Sequence, residues 1–191
     1  MEAFTNNVNF FTSLGTVIGH FFLAFFAVIL LLARYGRVEQ RTWAENIIRI
    51  GGKWGLEGSF LVAFTGTALS LVYSEIIGFV PCYLCWIQRI FLYPQVIILG
   101  LALWKKTKDA AIYCSVLSVI GGIIALYNFY GQSFNPNALP ECDALGQVSC
   151  AVRYFVEFGY VTIPVMSLTA FLLILLGLHL SNRLKKTNVS L

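Results

Sequence analysis

The sequence predicts an all-α integral membrane protein, a bundle of transmembrane helices. Three observations predict it. Of 191 residues, 58% are hydrophobic and only 12% are charged, against about 25% charged in an average soluble domain. The mean hydropathy is +0.77. The apolar residues gather into five runs long enough to span a bilayer, since roughly 20 residues at about 1.5 Å each cover the hydrocarbon. Nine acids and thirteen bases cannot wet a globule of this size, so a soluble enzyme is excluded. Disorder is excluded as well, because 15% of the residues are aromatic. The net charge of +4 does not call for nucleic acid, because the distribution of the bases accounts for it.

The first run covers residues 10–33. No basic segment precedes it, no small-x-small cleavage site follows, and its positive charges come after the apolar stretch, so it is read as a retained helix rather than a signal peptide. Residues 34–57 form a lengthy basic connection in which Trp43, Ile47, Ile48 and Ile50 interleave with Arg and Glu. That pattern suits a short helix lying on headgroups or a solvated linker. The second span covers 59–80 and is expected to end at Val80, because Pro81 disfavours helix in the residue before it. The third covers 85–104, the fourth 110–130 and the fifth 161–180. None alternates like a barrel strand.

The bases then orient the chain. Arg34, Arg37, Arg41, Arg49 and Lys53 follow the first span; Lys105, Lys106 and Lys108 follow the third; Arg183, Lys185 and Lys186 follow the fifth. Five spans put all of these on one side, leaving Arg89 and Arg153 for the other. The positive-inside rule makes the basic side cytoplasmic, with the amino terminus outside and the carboxyl terminus inside.

That topology sorts the cysteines. Cys82 and Cys85 form a C-x-x-C outside, between the second and third spans, and Cys142 and Cys150 lie in the outer connection between the fourth and fifth. Both pairs face the compartment where disulfides persist. Structural staples, a zinc site from four thiolates and a redox relay are the alternatives. A C-x-x-C bond closes a very small loop and adds little chain-entropy stabilisation, which favours redox or metal chemistry. The C-x7-C spacing of the second pair is unlike a zinc knuckle, so no metal is expected. Trp86 stands where a c-type haem would need His. Cys114, alone inside the fourth span, is a packing residue.

Cys82 and Cys85 fall at the amino end of the third helix, where partial positive charge favours thiolates. Arg89, four residues beyond Cys85, shares its face about one turn inside the boundary. An intramembrane Arg costs about 2.5–3.5 kcal/mol at a helix centre and marks a functional site by default; snorkelling to headgroups is the alternative. In the functional reading it donates hydrogen bonds to an oxygen-bearing, lipid-soluble ligand, and a quinone fits. The chain between Asn135 and Pro140 is irregular and gives the second cysteine pair slack. After Cys150, the apolar and aromatic run 152–158 reads as an interfacial segment or as the start of the last helix. Glu141 and Asp143 flank Cys142, raise its thiol pKa and make it a poorer leaving group. His20 is an interfacial histidine or a proton relay, and Glu75 a solvated carboxylate or a proton acceptor.

The stretch Pro81-Cys82-Tyr83-Leu84-Cys85-Trp86-Ile87-Gln88-Arg89, with Tyr93-Pro94 beyond it and a second cysteine pair in the next outer loop, resembles the DsbB family of membrane disulfide-generating proteins, in particular its BdbC-like branch. The resemblance covers the four-helix core from about residue 56 to 186. It implies a four-helix transmembrane bundle carrying one additional N-terminal helix, divided as 1–55 and 56–191, in a bacterial cytoplasmic (inner) membrane. It implies that Cys82 and Cys85 are the membrane-proximal catalytic pair, with Cys85 facing a ubiquinone or menaquinone and Arg89 binding it. Cys142 and Cys150 would be the shuttle pair on a mobile loop: a soluble thioredoxin-fold partner of the DsbA type attacks Cys142, and Cys150 passes electrons to Cys82. Such DsbA–DsbB–quinone relays keep the bacterial periplasm oxidising. Two departures stand out. The shuttle cysteines are only eight positions apart, and Gln88 precedes the Arg where some relatives have an acid. The reading from another class is a non-catalytic membrane scaffold with two structural disulfides; a transporter would need mid-membrane charges in several helices.

Overall fold

A computed structural model of the chain describes residues 2–107, 109–139 and 149–189. Among these the fold is an integral membrane helical bundle of six α-helices: α1 (Glu2–Tyr35), α2 (Val38–Lys53), α3 (Gly55–Leu71), α4 (Tyr83–Lys105), α5 (Ala110–Ser133) and α6 (Ile163–Val189). Five segments are long and apolar enough to cross a membrane: Glu2–Tyr35, Gly55–Ile76, Tyr83–Lys105, Ala110–Ser133 and Ile163–Leu184.

The first helix outruns its apolar stretch at both ends, with Glu2 in its first turn and Arg34 in its last, each of the sign that suits the helix dipole there. The basic connection folds as α2. An exposed Arg41–Glu45 pair (3.0 Å) lies along it, and its buried face of Ala44 and Ile48 packs with Phe26, Ile29 and Ala33 of α1 and Leu180 of α6.

The second span ends earlier than Pro81 suggests. After Leu71 the helix widens into a π-turn over Val72–Ile76, with the Ile77 N–H donating to the Val72 carbonyl at 3.0 Å. The chain then breaks at Gly78, whose φ of 85° few other residues adopt. Gly78, not Pro81, decides that end. The last helix starts at Ile163, so residues 152–158 are not its beginning. They are irregular, and a turn through Phe158 (φ 51°) and Gly159 (φ 78°) is closed by the Glu157–Val161 bridge.

Helix α6 is the axis, packed against α5, α3, α2 and α1, while α4 lies against α3 and α5. Leu56, Leu92, Leu99, Phe171, Ile174 and Leu178 form the main core. Gln95 of α4 donates to the Phe91 carbonyl (2.8 Å) and accepts from Ser118 of α5 (3.0 Å), so a fully buried amide is satisfied and ties the two helices together. Outward-facing residues such as Phe21, Ile97, Ile112 and Ile123 are exposed, as a bilayer solvent requires.

Candidate functional site

Cys82 is the N-cap of α4, in extended conformation (φ −70°, ψ 168°), and its carbonyl accepts the first helical bond, from the Trp86 N–H at 3.0 Å. Cys85 is therefore the third helical residue, and N-cap and N3 side chains meet at the mouth of a helix. The two sulfurs lie 2.9 Å apart.

Cys150 reaches the same place from the other connection. It is fully buried, in one cluster with Cys82, Leu84 and Leu139, and its thiol hydrogen-bonds Cys82. Gln132, near the end of α5, holds it there by donating to the Cys150 carbonyl at 2.8 Å, and the Arg153 guanidinium donates to the Gln132 carbonyl. Aromatic stacking joins the segment after Cys150 to the one before Cys82. The Tyr154 ring lies 4.4 Å from Phe79 and its hydroxyl donates to the Val80 carbonyl at 2.6 Å, while Phe155 stacks on Tyr73 at 5.7 Å. The hydrogen bond with Cys150 favours a Cys82 thiolate, but the bond with Cys85 and burial outweigh it and push the Cys82 thiol up to about 12. Cys142 lies outside the described residues, as do Glu141, Asp143 and Lys108.

Beside the C-x-x-C opens a cavity of about 530 Å³, lined among others by Cys82, Cys85, Gln88, Arg89 and Tyr73. Arg89 does not stretch toward headgroups. Its Nη2 donates across to the Ser70 carbonyl of α3 at 3.0 Å, and its guanidinium sits 5.1 Å from the Trp86 ring centroid, a cation–π distance. Gln88, buried on the cavity wall, has an Nε2 with no hydrogen-bond partner among the described residues, as have Gln132 Oε1 and Thr162 Oγ1. Unpaired buried polar atoms are expensive. An apolar chamber with a guanidinium and a spare amide donor suits a hydrophobic ligand bearing carbonyl oxygens.

The structure thus brings together Cys82, Cys85, Arg89 and Cys150. It separates the other residues the sequence singled out. His20 bridges Tyr160 (3.0 Å) and Thr169 (2.8 Å) without lining the cavity. Glu75 is exposed on the π-turn and accepts from Ser74 (3.0 Å). Cys114 is buried in the main core. The sequence reading missed Asn128, fully buried, whose Nδ2 approaches Cys85 Sγ at 4.0 Å, and Gln132. Their signal was two amides four residues apart in an apolar helix, hence on one face.

Residues 53–181 match the family described as disulfide bond formation protein DsbB. Among curated relatives, the SPbeta prophage-derived disulfide bond formation protein B of Bacillus subtilis is 44% identical over 128 residues, covering 66% of this chain and 85% of that one. The probable disulfide formation protein C of Halalkalibacterium halodurans is 42% identical over 119 residues (61% and 85%). The probable disulfide formation protein of Chlamydia caviae is 39% identical over 128 residues (67% and 91%). No solved structure matches the chain.

Proposed function

Because the chain belongs to the DsbB family of disulfide bond formation proteins, we propose that it is a membrane thiol oxidase that reoxidises a soluble DsbA-like disulfide donor and passes the electrons to a membrane quinone. One observation carries this reading. Cys150, Cys82 and Cys85 form a continuous run of sulfurs that ends on an apolar cavity also lined by Arg89.

The relay proceeds by thiol–disulfide exchange, in which a new S–S bond forms as another breaks. One donor thiolate attacks Cys142 of the Cys142–Cys150 disulfide and releases Cys150, and the donor's second thiol then expels Cys142 as the donor becomes oxidised. Cys150 attacks Cys82 of the Cys82–Cys85 disulfide and frees Cys85 at the cavity wall; Cys142 then attacks Cys150, which restores the loop disulfide and frees Cys82. The Cys82–Cys85 bond re-forms as the pair gives up its two electrons at the cavity. A quinone bound there supplies a two-electron, two-proton acceptor that dissolves in the bilayer and leaves as the quinol. Arg89 holds a carbonyl oxygen through the part of its fork not committed to Ser70, and Gln88 offers a second donor. The apolar lining keeps water away from the freed sulfur.

The family favours a bacterial cytoplasmic membrane, and the basic segments favour an orientation in it with the four cysteines outside, the amino terminus outside and the carboxyl terminus in the cytoplasm. Residues 56–191 are then the redox unit and 1–55 an addition to it. The test is quinone reduction by the purified protein with a reduced DsbA-like protein as electron donor. We expect one quinol per donor disulfide formed; no reduction of either a benzoquinone or a naphthoquinone leaves the scaffold with two structural disulfides.

A further inference from the structure

The family match begins at residue 53, after α1, yet α1 is part of the cavity. Phe11, Thr12, Gly15 and Thr16 line the same chamber as Cys85 and Arg89. Thr12 Oγ1 and the Tyr73 hydroxyl share a hydrogen bond of 2.7 Å, which fixes α1 against α3 at the cavity rim. Farther along α1, His20 ties it to Thr169 of α6 and to Tyr160. Along the stretch that carries these two clamps the inward face is polar. Asn9, Ser13 and Thr16 are all buried, three or four residues apart and therefore on one stripe. Polar groups facing hydrocarbon are costly, so this face belongs against protein or a cavity, whereas Phe10, Ile18 and Phe21, which do not line the chamber, are exposed.

Two glycines of α1 have opposite reasons. A Cβ on Gly19 would meet Thr169 at 3.0 Å and Leu173 at 3.2 Å, so that glycine lets α1 approach α6 closely. A Cβ on Gly15 would meet nothing within 4 Å, although Gly15 is on the cavity wall. Its missing side chain serves no helix contact. It leaves room in the chamber.

We propose that α1 is a working wall of the acceptor site and that Gly15 is a specificity-determining residue, giving the cavity the width to admit a fused two-ring naphthoquinone as well as a one-ring benzoquinone. The proposal rests on the quinone reading above. Filling the space at position 15 penalises the wider ring first.

The experiment uses the full purified chain with two readouts. An azidobenzoquinone photoprobe, followed by peptide mapping, should label α1 between residues 9 and 20 as well as α4. In steady-state assays Gly15→Leu should raise KM for a naphthoquinone about tenfold, equivalent to about 1.4 kcal/mol of overpacking, and raise it less for a benzoquinone, with kcat held. Gly15→Ala, which adds one methyl group, should shift the ratio of the two KM values in the same direction by less, and serves if the Leu variant does not fold. Gly58→Leu, on α3 where an added side chain also meets open space away from the cavity, should leave both constants unchanged. Quinone reduction with no label on α1 and an unmoved KM ratio in the Gly15 variants overturns this proposal alone. Failure of the unaltered protein to reduce or be labelled by any quinone overturns the acceptor reading, and this proposal with it.

Discussion

At the end of the bundle that holds Gly55, α3 and α6 meet backbone to backbone, whereas at the cysteine end the same two helices part around a cavity. A Cβ on Gly55 would strike the Gly177 carbonyl, and one on Gly177 would strike Ser59 and the Gly55 carbonyl. Ser59 sits inside this seam and donates to Gly55 (2.7 Å) and Ile174 (3.2 Å) carbonyls, so its polar group is satisfied. At the other end Gln88, Gln132 and Thr162 keep buried polar atoms without partners around about 530 Å³ of open space. Each such atom costs roughly 1–3 kcal/mol. The difference shows a division of labour. Small residues at one end give close packing that needs no hydrophobic driving force in lipid, and at the other end the helices leave a chamber bordered by a donor, an acceptor and a hydroxyl without partners among the described residues.

The comparison breaks outright if the cysteine end carries no chemistry, and the largest expected effects test that. Cys85→Ser should abolish quinone reduction while Cys142 and Cys150 still exchange once with the donor protein. Cys150→Ser leaves Cys142 a lone thiol that can attack the disulfide of the oxidised donor protein, with no Cys150 to resolve the new bond, so a mixed disulfide between Cys142 and the donor should accumulate on non-reducing gels; a complex trapped through Cys82 instead would reverse the order of the relay. Cys114→Ala, in the packed core, should change neither result. Next in size is Arg89. Arg89→Leu removes a charged donor worth about 1.5–3 kcal/mol, so KM for quinone should rise about ten- to a hundredfold with folding intact. Arg89→Lys should recover only part of this, because an ammonium lacks the planar fork. An unchanged KM in the Leu variant returns Arg89 to an anchoring role between Ser70 and Trp86.

Much of the cysteine end was legible in the sequence because its signals are local. C-x-x-C followed by Arg at the fourth position needs only one helix start to bring Cys82, Cys85 and Arg89 together, and apolar length alone marks the spans. What stayed hidden depends on partners far apart in the chain. The aromatic stack joining Phe79 to Tyr154 and the hold of Gln132 on Cys150 exist only once α5 and the following connection have folded back. A search for charges in the spans passes over neutral amides, and so missed Asn128 and Gln132. The same search treated the first helix as an addition, although Asn9, Ser13, Thr16 and His20 already stood at helical spacing. The early end of the second span was misplaced because Pro81 is a louder signal than Gly78.

A smaller effect sharpens the packing half of the comparison. Alanine normally suits a helix interior better than glycine by about 0.5–1 kcal/mol. Gly15→Ala should therefore leave the melting temperature in detergent unchanged or slightly higher, since its methyl group meets nothing within 4 Å. Gly55→Ala drives a methyl group into the Gly177 carbonyl, and overpacking of that kind costs about 1–3 kcal/mol, read as a lower melting temperature. Equal melting temperatures in the two variants would mean that the seam is no tighter than the cavity wall.

The smallest effect concerns proton affinity at the start of α4. Cys85, as hydrogen-bond partner, and burial push the Cys82 thiol up to about 12 against the opposing bond from Cys150. A raised thiol pKa means that the thiolate forms only at high pH, so in the reduced protein Cys82 stays protonated through the neutral range. Its modification by a methanethiosulfonate reagent, followed by peptide mass mapping, should climb about tenfold per pH unit without levelling off through roughly pH 10, as thiolate fraction does below a pKa. In Cys85→Ala the bond that raises it is gone while Cys150 remains, so the profile should move to lower pH. Identical profiles would show that Cys85 does not control its neighbour. The direction matters for the relay because a thiol of high pKa is a poor leaving group. Once Cys150 has attacked, Cys142 can close the loop disulfide again only by expelling Cys82, so a high Cys82 pKa prolongs the mixed disulfide in which Cys85 is free at the cavity.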